Sequence, residues 1–288
     1  MEKCGSWASG SIVTYNNDCP KIGGTKTLVG CGGVAVAQIL NYYSCQINPK
    51  DILSYTPSGL STININFANQ IYFWNSMSPN NATSENAKLL FHSAAAIKSQ
   101  FGVSKTTAEV ADILVGLPKY FDFSSLISRV DKSYYNDDAW KDLLKNQIDG
   151  RNPILYLGQN TNGSQKHGWV VDGYSVDSNN KVSQFHCNWG WGGSSNGFFS
   201  LSNLTNVSGQ NYNDTQSAIV SILPKYAPNT FRNYTFPCGN YTAYSFRLVN
   251  CKVAPNVPDA VRLNMQCATE IFGTFEVPLG SVFEIKPW

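Results

Sequence analysis

The stretch TLVGCGGVAVAQILNYY, residues 27–43, sets one cysteine among three glycines at the head of an apolar run. A thiol becomes a strong nucleophile at neutral pH only when its pKa falls. The first turn of a helix lowers it by aiming unpaired N–H groups and the positive end of the dipole at the sulfur. Cys31 occupies such a place. Gly30, Gly32 and Gly33 each cost about 1 kcal/mol relative to alanine inside a helix. Their missing side chains would let an extended substrate pass close to the backbone. The same composition suits plain packing where a helix meets a sheet, and this stretch alone leaves both readings open.

A nucleophilic cysteine needs a base, and the chain offers three histidines. His92 sits beside Leu89, Leu90 and Phe91 in a helical pattern, which reads as a packed residue. His186 alternates with Phe185 in a strand pattern and reads as structural. His167 follows the polar loop QNTNGSQK and opens the strand GWVVDGY, which leaves its ring at a sheet end. With a hairpin turn centred on Asn179 and Asn180, His167 faces roughly residue 192, give or take a bulge. The stretch NWGWGG, residues 188–193, then lies beside it. Asn188 can orient the imidazole and Trp189 can cover that bond from water, supplying the third member that a Cys-His pair wants. A packed Trp-Gly turn is the competing reading, and both can hold at once.

These residues need elements to carry them. Val36, Ile39, Leu40 and Tyr43 fall on one helical face, while Val34, Ala35 and Ala37 cover much of the rest, so the spacing predicts a central helix buried nearly all round. SENAKLLFHSAAAIKSQFG reads as a second helix with Ser84 as N-cap and Gly102 as stop. TAEVADILVGLPKYF, halted by Pro118, and DDAWKDLLKNQID read as two more. After Gly150 the segments NPILYLG, HGWVVDGY, SQFHCNW, GFFSLSNL and SAIVSILP are short, β-branched and aromatic. Helices followed by strands, without alternation, favour an α+β fold with an antiparallel sheet. LPKYAPNTFRN carries two prolines and places a boundary near residue 226. The expectation is one domain over residues 1–225 and a small all-β domain over 226–288.

The chain of 288 residues is 42 % apolar, which is enough for a sizeable core. With 21 Lys plus Arg against 19 Asp plus Glu and no basic block, nothing points to nucleic acid. The apolar runs are shorter than the roughly 20 residues a membrane span requires. MEKCGSWASG has no apolar stretch of a signal peptide. The eight cysteines are too dispersed for a zinc framework, so neither metal nor cofactor is expected.

Gly30-Cys31 followed by VAVAQILNYY, then GRNPILYLG, HGWVVDGY, FHCNWGWGG, NGFFSLSNL and QSAIVSILP, in this order and spacing, resemble the streptopain family of papain-like cysteine peptidases. The resemblance covers roughly residues 7–224. It implies the papain-like fold, a central buried helix packed on an antiparallel sheet, and a cysteine endopeptidase acting on proteins or peptides. By this likeness Cys31 attacks the scissile carbonyl through an acyl-enzyme, His167 is the general base, and Asn188 and Trp189 orient it. The Cys31 N–H would donate to the oxyanion. Val29, Thr107, Ala108, Lys166 and Trp191 become candidates to line a hydrophobic substrate subsite, and residues 202–214 correspond to a flexible loop bordering it.

Several positions depart from the family pattern. A tryptophan followed two residues later by glutamine is usual near the start; here Trp7 is followed by Ser9, the tentative oxyanion position. Gly32 and Gly33 replace small valine and alanine residues, Lys166 replaces a glycine before the histidine, and Cys187 is an added thiol. The family's inhibitory prosegment has no counterpart in this chain, so the expectation is either a separate or removed propeptide or a protein that lacks this form of control. The likeness also implies an extracellular, secretory or digestive compartment. Two other readings share the pair. One is a catalytically impaired pseudoenzyme acting as a binding module, motivated by Ser9 and Lys166. The other is a different Cys-His acyl transferase, deamidase-like or transglutaminase-like.

Overall fold

The computed structural model describes residues 15–44, 47–205 and 209–225, and in the C-terminal part 229–232, 234–236, 239–243, 246–255, 260–265 and 269–287. Two compact units meet in sequence at Leu223 and Pro224. The boundary expected near residue 226 lies outside the described residues, as does Ser9.

In the first unit, α1 spans Cys31–Tyr43, and every residue from Gly33 to Leu40 is buried. Gly30 enters the helix at φ 84°, a conformation open to glycine, and a Cβ there would meet Thr106 at 3.0 Å. Gly33 is a packing glycine: a Cβ would lie 2.8 Å from that of Ala94 on α2, Ser84–Ala96. Gly32 has ordinary room, with Ile97 at 3.4 Å. The expectation that all three glycines clear a path for substrate therefore fails at Gly33, which clears a path for a helix.

Helix α2 begins one residue earlier than expected. Thr83, not Ser84, is the N-cap, and its side chain and that of Asn86 satisfy each other's backbone N–H groups in a capping box. It ends at Ala96, because Lys98 turns into the left-handed region at φ 47° and Ser99 N–H closes onto Ala94 C=O; Gly102 lies beyond. Helix α3, Val110–Phe121, runs through Pro118 instead of stopping there. Leu117, Tyr120 and Phe121 are buried, so packing of the last turn offsets the hydrogen bond that proline cannot make. Helix α4, Asp137–Asp149, buries Trp140, Leu144 and Ile148 at helical spacing.

After the short pairs β1 (Lys21–Ile22) with β2 (Thr25–Lys26) and β3 (Ile52–Tyr55) with β4 (Ile63–Asn66), six strands form one antiparallel sheet. They are β5 (Ser128–Asp131), β6 (Ile154–Gln159), β7 (Lys166–Val176), β8 (Val182–Asn188), β9 (Gly197–Phe199) and β10 (Asp214–Val220), in the order β5-β10-β6-β7-β8-β9. Helix α1 packs on β7 and α2. Helix α4 is tied to the sheet by Trp140 Nε1–H donating to Tyr156 Oη at 2.9 Å, whose hydroxyl donates to Gln216 Oε1 at 2.6 Å. Fully buried, that chain of donors and acceptors leaves none of its members unpaired. The central helix, antiparallel sheet and α+β class are those the pattern led one to expect.

Among its described residues the second unit is all-β, and its strands pair in parallel. One sheet joins β11 (Asn229–Arg232), β12 (Thr235–Phe236), β14 (Phe246–Val253) and β16 (Thr269–Glu276); the other joins β13 (Gly239–Ala243), β15 (Val261–Met265) and β17 (Phe283–Pro287). From β13 onward the chain alternates between the two sheets. Gly239 pairs Val261 and Val261 pairs Phe283, an offset of 22 residues repeated. Phe236, Phe246, Leu248, Val253, Val261 and Leu263 fill the interior. The second sheet's strands thus stack as successive windings of one coil.

Candidate active site

Cys31 is the first residue of α1, with Gly30 as its N-cap, and its thiol is free and half-buried. His167 is the second residue of β7, paired with Gly158 of β6. The helix packs across this strand, and the two side chains meet in a hydrogen bond. Burial alone pushes the Cys31 thiol up. The His167 hydrogen bond, the imidazolium charge and N–H groups from Gly168 and Gly32 together outweigh it and bring the pKa down to about 7. A helix start and a strand start thus jointly supply the donors for a thiolate.

The imidazole is held from its far side. Nε2 lies 2.9 Å from the Trp189 carbonyl oxygen. A carbonyl can only accept, so Nε2 carries the proton and donates it. In the neutral ring Nδ1 is then unprotonated and free to take the thiol proton. Trp191 stacks on the ring at 4.7 Å between centroids and 20° between planes, with Trp169, Trp189 and Tyr212 around it. Trp169 and Trp189 are fully buried and Trp191 is partly open. The cluster excludes water from one side of the Nε2–H bond, which strengthens it.

The loop after β8 is anchored in turn. Trp189 N–H donates to Asn196 Oδ1 at 3.0 Å. Asn188 Oδ1 accepts from Gly190 N–H at 3.2 Å and from Gln38 Nε2–H at 3.1 Å, the latter reaching across from α1. The register of β7 and β8 carries two shifts, so paired numbers sum to 358 at Val176 and Val182 beside the turn, to 359 from Ser175 to Gly173, and to 358 again at Val171 and Val170. Carried past the end of the ladder, a sum of 358 sets His167 level with residue 191, one short of the 192 of a straight hairpin, and its ring stacks on Trp191.

The structure brings Cys31, His167, Trp189 and Trp191 together directly, with Asn188 beside them. Ala108 lies next to the helix start, 3.8 Å from the Cβ position of Gly32, and Thr107 and Lys166 are exposed. Val29 has no exposed surface, and its N–H donates to Asn16 Oδ1. Its side chain lies 2.9 Å from the Cβ position of Gly33. Trp169 and Tyr212, which also wall the imidazole, were not singled out from the sequence; Trp169 was legible as the next residue on the same strand face as His167. The other two histidines are used elsewhere: His92 Nδ1 pairs with the Tyr72 hydroxyl, and His186 with Asp172. Among the described residues no three His, Cys, Asp or Glu side chains gather as a ligand set, and no helix is long and apolar enough to cross a membrane.

The model of the Peptidase C10 family matches residues 9–199. Streptopain of Streptococcus pyogenes is 26% identical over 224 residues, covering 70% of this chain and 54% of streptopain. The thiol protease/hemagglutinin PrtT of Porphyromonas gingivalis is 27% identical over 218 residues, covering 70% of this chain and 24% of PrtT. The chain thus spans about half the length of streptopain or less of these relatives. The structure of active wild-type interpain A cysteine protease of Prevotella intermedia superposes with a TM-score of 0.68 at 24% identity, over 77% of this chain and 94% of that one. A fragment of prointerpain A of the same organism gives 0.59 over 77% and 71%.

Proposed function

Because the chain belongs to the peptidase C10 family of cysteine peptidases, we propose that it is an endopeptidase whose first unit cuts peptide bonds with Cys31 and His167. The observation that carries this reading is the pairing itself: a thiol at a helix start, hydrogen-bonded to an imidazole whose other nitrogen is fixed by a main-chain carbonyl. In the resting pair His167 holds the Cys31 proton. Sγ attacks the scissile carbonyl carbon and the C=O electrons move to oxygen, where the Cys31 N–H donates to the oxyanion. As the tetrahedral adduct collapses, the C–N bond breaks and Nδ1–H protonates the leaving amine. Nδ1 then takes a proton from water, hydroxide adds to the thioester, and the C–S bond breaks to release the acid and restore the thiolate.

Ala108, Thr107, Lys166 and Trp191 border the substrate path in this reading, and the exposed Lys166 ammonium favours acidic side chains near the cut. Residues 1–225 form the peptidase and 226–288 a companion β domain. The protein acts on extracellular or digestive protein substrates, under the control of a propeptide. A peptidyl epoxide tests the reading. Covalent labelling at Cys31 that disappears in Cys31→Ala and is suppressed in His167→Ala supports it, and a folded protein that takes no label sinks it. Release of new amino termini from a protein substrate separates hydrolysis from acyl transfer to an added amine.

A further inference from the structure

Gln38 lies seven residues after Cys31 on α1, close to two full turns, so both side chains leave the same face of the helix toward β7. An uncharged amide in this apolar helix has no packing reason to be there, and it is fully buried. Its Nε2–H donates to Asn188 Oδ1 across 150 residues of sequence, on an oxygen that also accepts from Gly190 N–H. Those two donors fix which way the Asn188 amide faces and hold the turn 188–190 against the helix. The next residue in that turn, Trp189, supplies the carbonyl that receives the His167 Nε2 proton.

The contacts therefore close a ring: Cys31 to His167, His167 to the Trp189 carbonyl, Trp189 through the chain to Asn188, and Asn188 through Gln38 back to the helix that carries Cys31. We infer that Gln38 is a positioning residue for the thiolate–imidazolium pair, setting the distance between the helix bearing the nucleophile and the loop that orients the base. It touches neither substrate nor the reacting atoms. The inference rests on the peptidase reading only for its use in turnover, because the pair forms whether or not a peptide is cut. Without the Gln38 donor, Asn188 Oδ1 loses this link to α1, the turn gains freedom to move off the helix, and the Trp189 carbonyl shifts with it. His167 then holds the thiolate less well.

The test is the pH dependence of iodoacetamide alkylation at Cys31, followed by peptide mapping, in the wild type, Gln38→Leu and Gln38→Glu, with thermal melts alongside. Leucine keeps the volume and removes the donor. A buried glutamate is a donor when protonated and none when ionised. The expected result for Gln38→Leu is an upward move of the thiolate midpoint by about one unit, which is about tenfold in alkylation rate below it. Gln38→Glu is expected to follow the wild type at the acid end and to fall behind as its carboxyl ionises. A merely structural role lowers the melting temperature and leaves both profiles unmoved, and that result overturns the inference. Should Gln38→Leu fail to fold, Gln38→Glu alone decides, since its two protonation states are compared within one protein. A wild type that alkylates with this pattern yet cuts no peptide defeats the peptidase reading and leaves the role of Gln38 standing.

Discussion

The start of α1 and the end of β8 each carry a cysteine in the same unit, and they treat it in opposite ways. Cys187 sits in a strand, fully buried, and burial pushes its thiol up to about 12 against the partial relief of the nearby Trp169 side chain. Cys31 suffers the same desolvation and comes down to about 7, because an imidazole and two main-chain N–H groups point at its sulfur. Burial is common to both regions; directed donors belong to one. Gly32 offers an N–H that a helix start leaves unpaired, and Gly168 offers one from the start of β7 beside the imidazole, so the thiol at the junction of the two elements has donors that a thiol within a strand lacks. Reactivity here is a property of where in an element the thiol stands.

The comparison can be broken most severely at the pair. Cys31→Ala or His167→Ala is expected to cut kcat/KM for a protein substrate at least about a thousandfold, measured beside Cys187→Ala, which is expected to keep wild-type kcat/KM and lose about 1 kcal/mol of stability to a small cavity. Equal losses at Cys31 and Cys187 would erase the distinction. A second contrast concerns a buried base whose neighbours do not offset its burial. Burial brings His92 down to about 4, with Lys88 adding to it. A base whose folded pKa lies below its unfolded value is neutral in the native state, so its stability contribution is whole above about pH 6.5 and is lost as pH falls toward about 4. Chemical denaturation across that window should show His92→Phe losing less stability than the wild type on acidification, by up to a few kcal/mol. The smallest contrast separates neighbouring glycines. Gly33→Ala, with Ala94 at 2.8 Å, is expected to lower stability by about 1–3 kcal/mol, and Gly32→Ala, with its nearest contact at 3.4 Å, to change it by less than about 1 kcal/mol. Thermal melts that rank them the other way would move the tight helix contact from Gly33 to Gly32.

The sequence carried most of the site and less of its wiring. Cys31 and His167 were legible because helical spacing and a strand opening after a polar loop are local patterns. The carbonyl of Trp189 was not, since every residue has one and only the path of the turn after β8 brings this one to the ring. Gln38 could be read as an odd amide in an apolar helix, but its partner lies in a distant turn. Pro118 misled because the packing of Tyr120 and Phe121 overrides a local stop signal. In the second unit, alternation announced strands without their direction: period two is common to parallel and antiparallel pairs, and the 22-residue offset emerges only from pairing.

The central claim, that Cys31 rests as a thiolate held by His167, is tested most directly by ultraviolet absorbance of the thiolate, taken as the difference between the protein and its Cys31→Ala variant across pH. The account predicts a transition centred at about 7 in the wild type that moves to the ordinary thiol range in His167→Ala. A single transition near 8.5, the value of a free cysteine, in both proteins would contradict it.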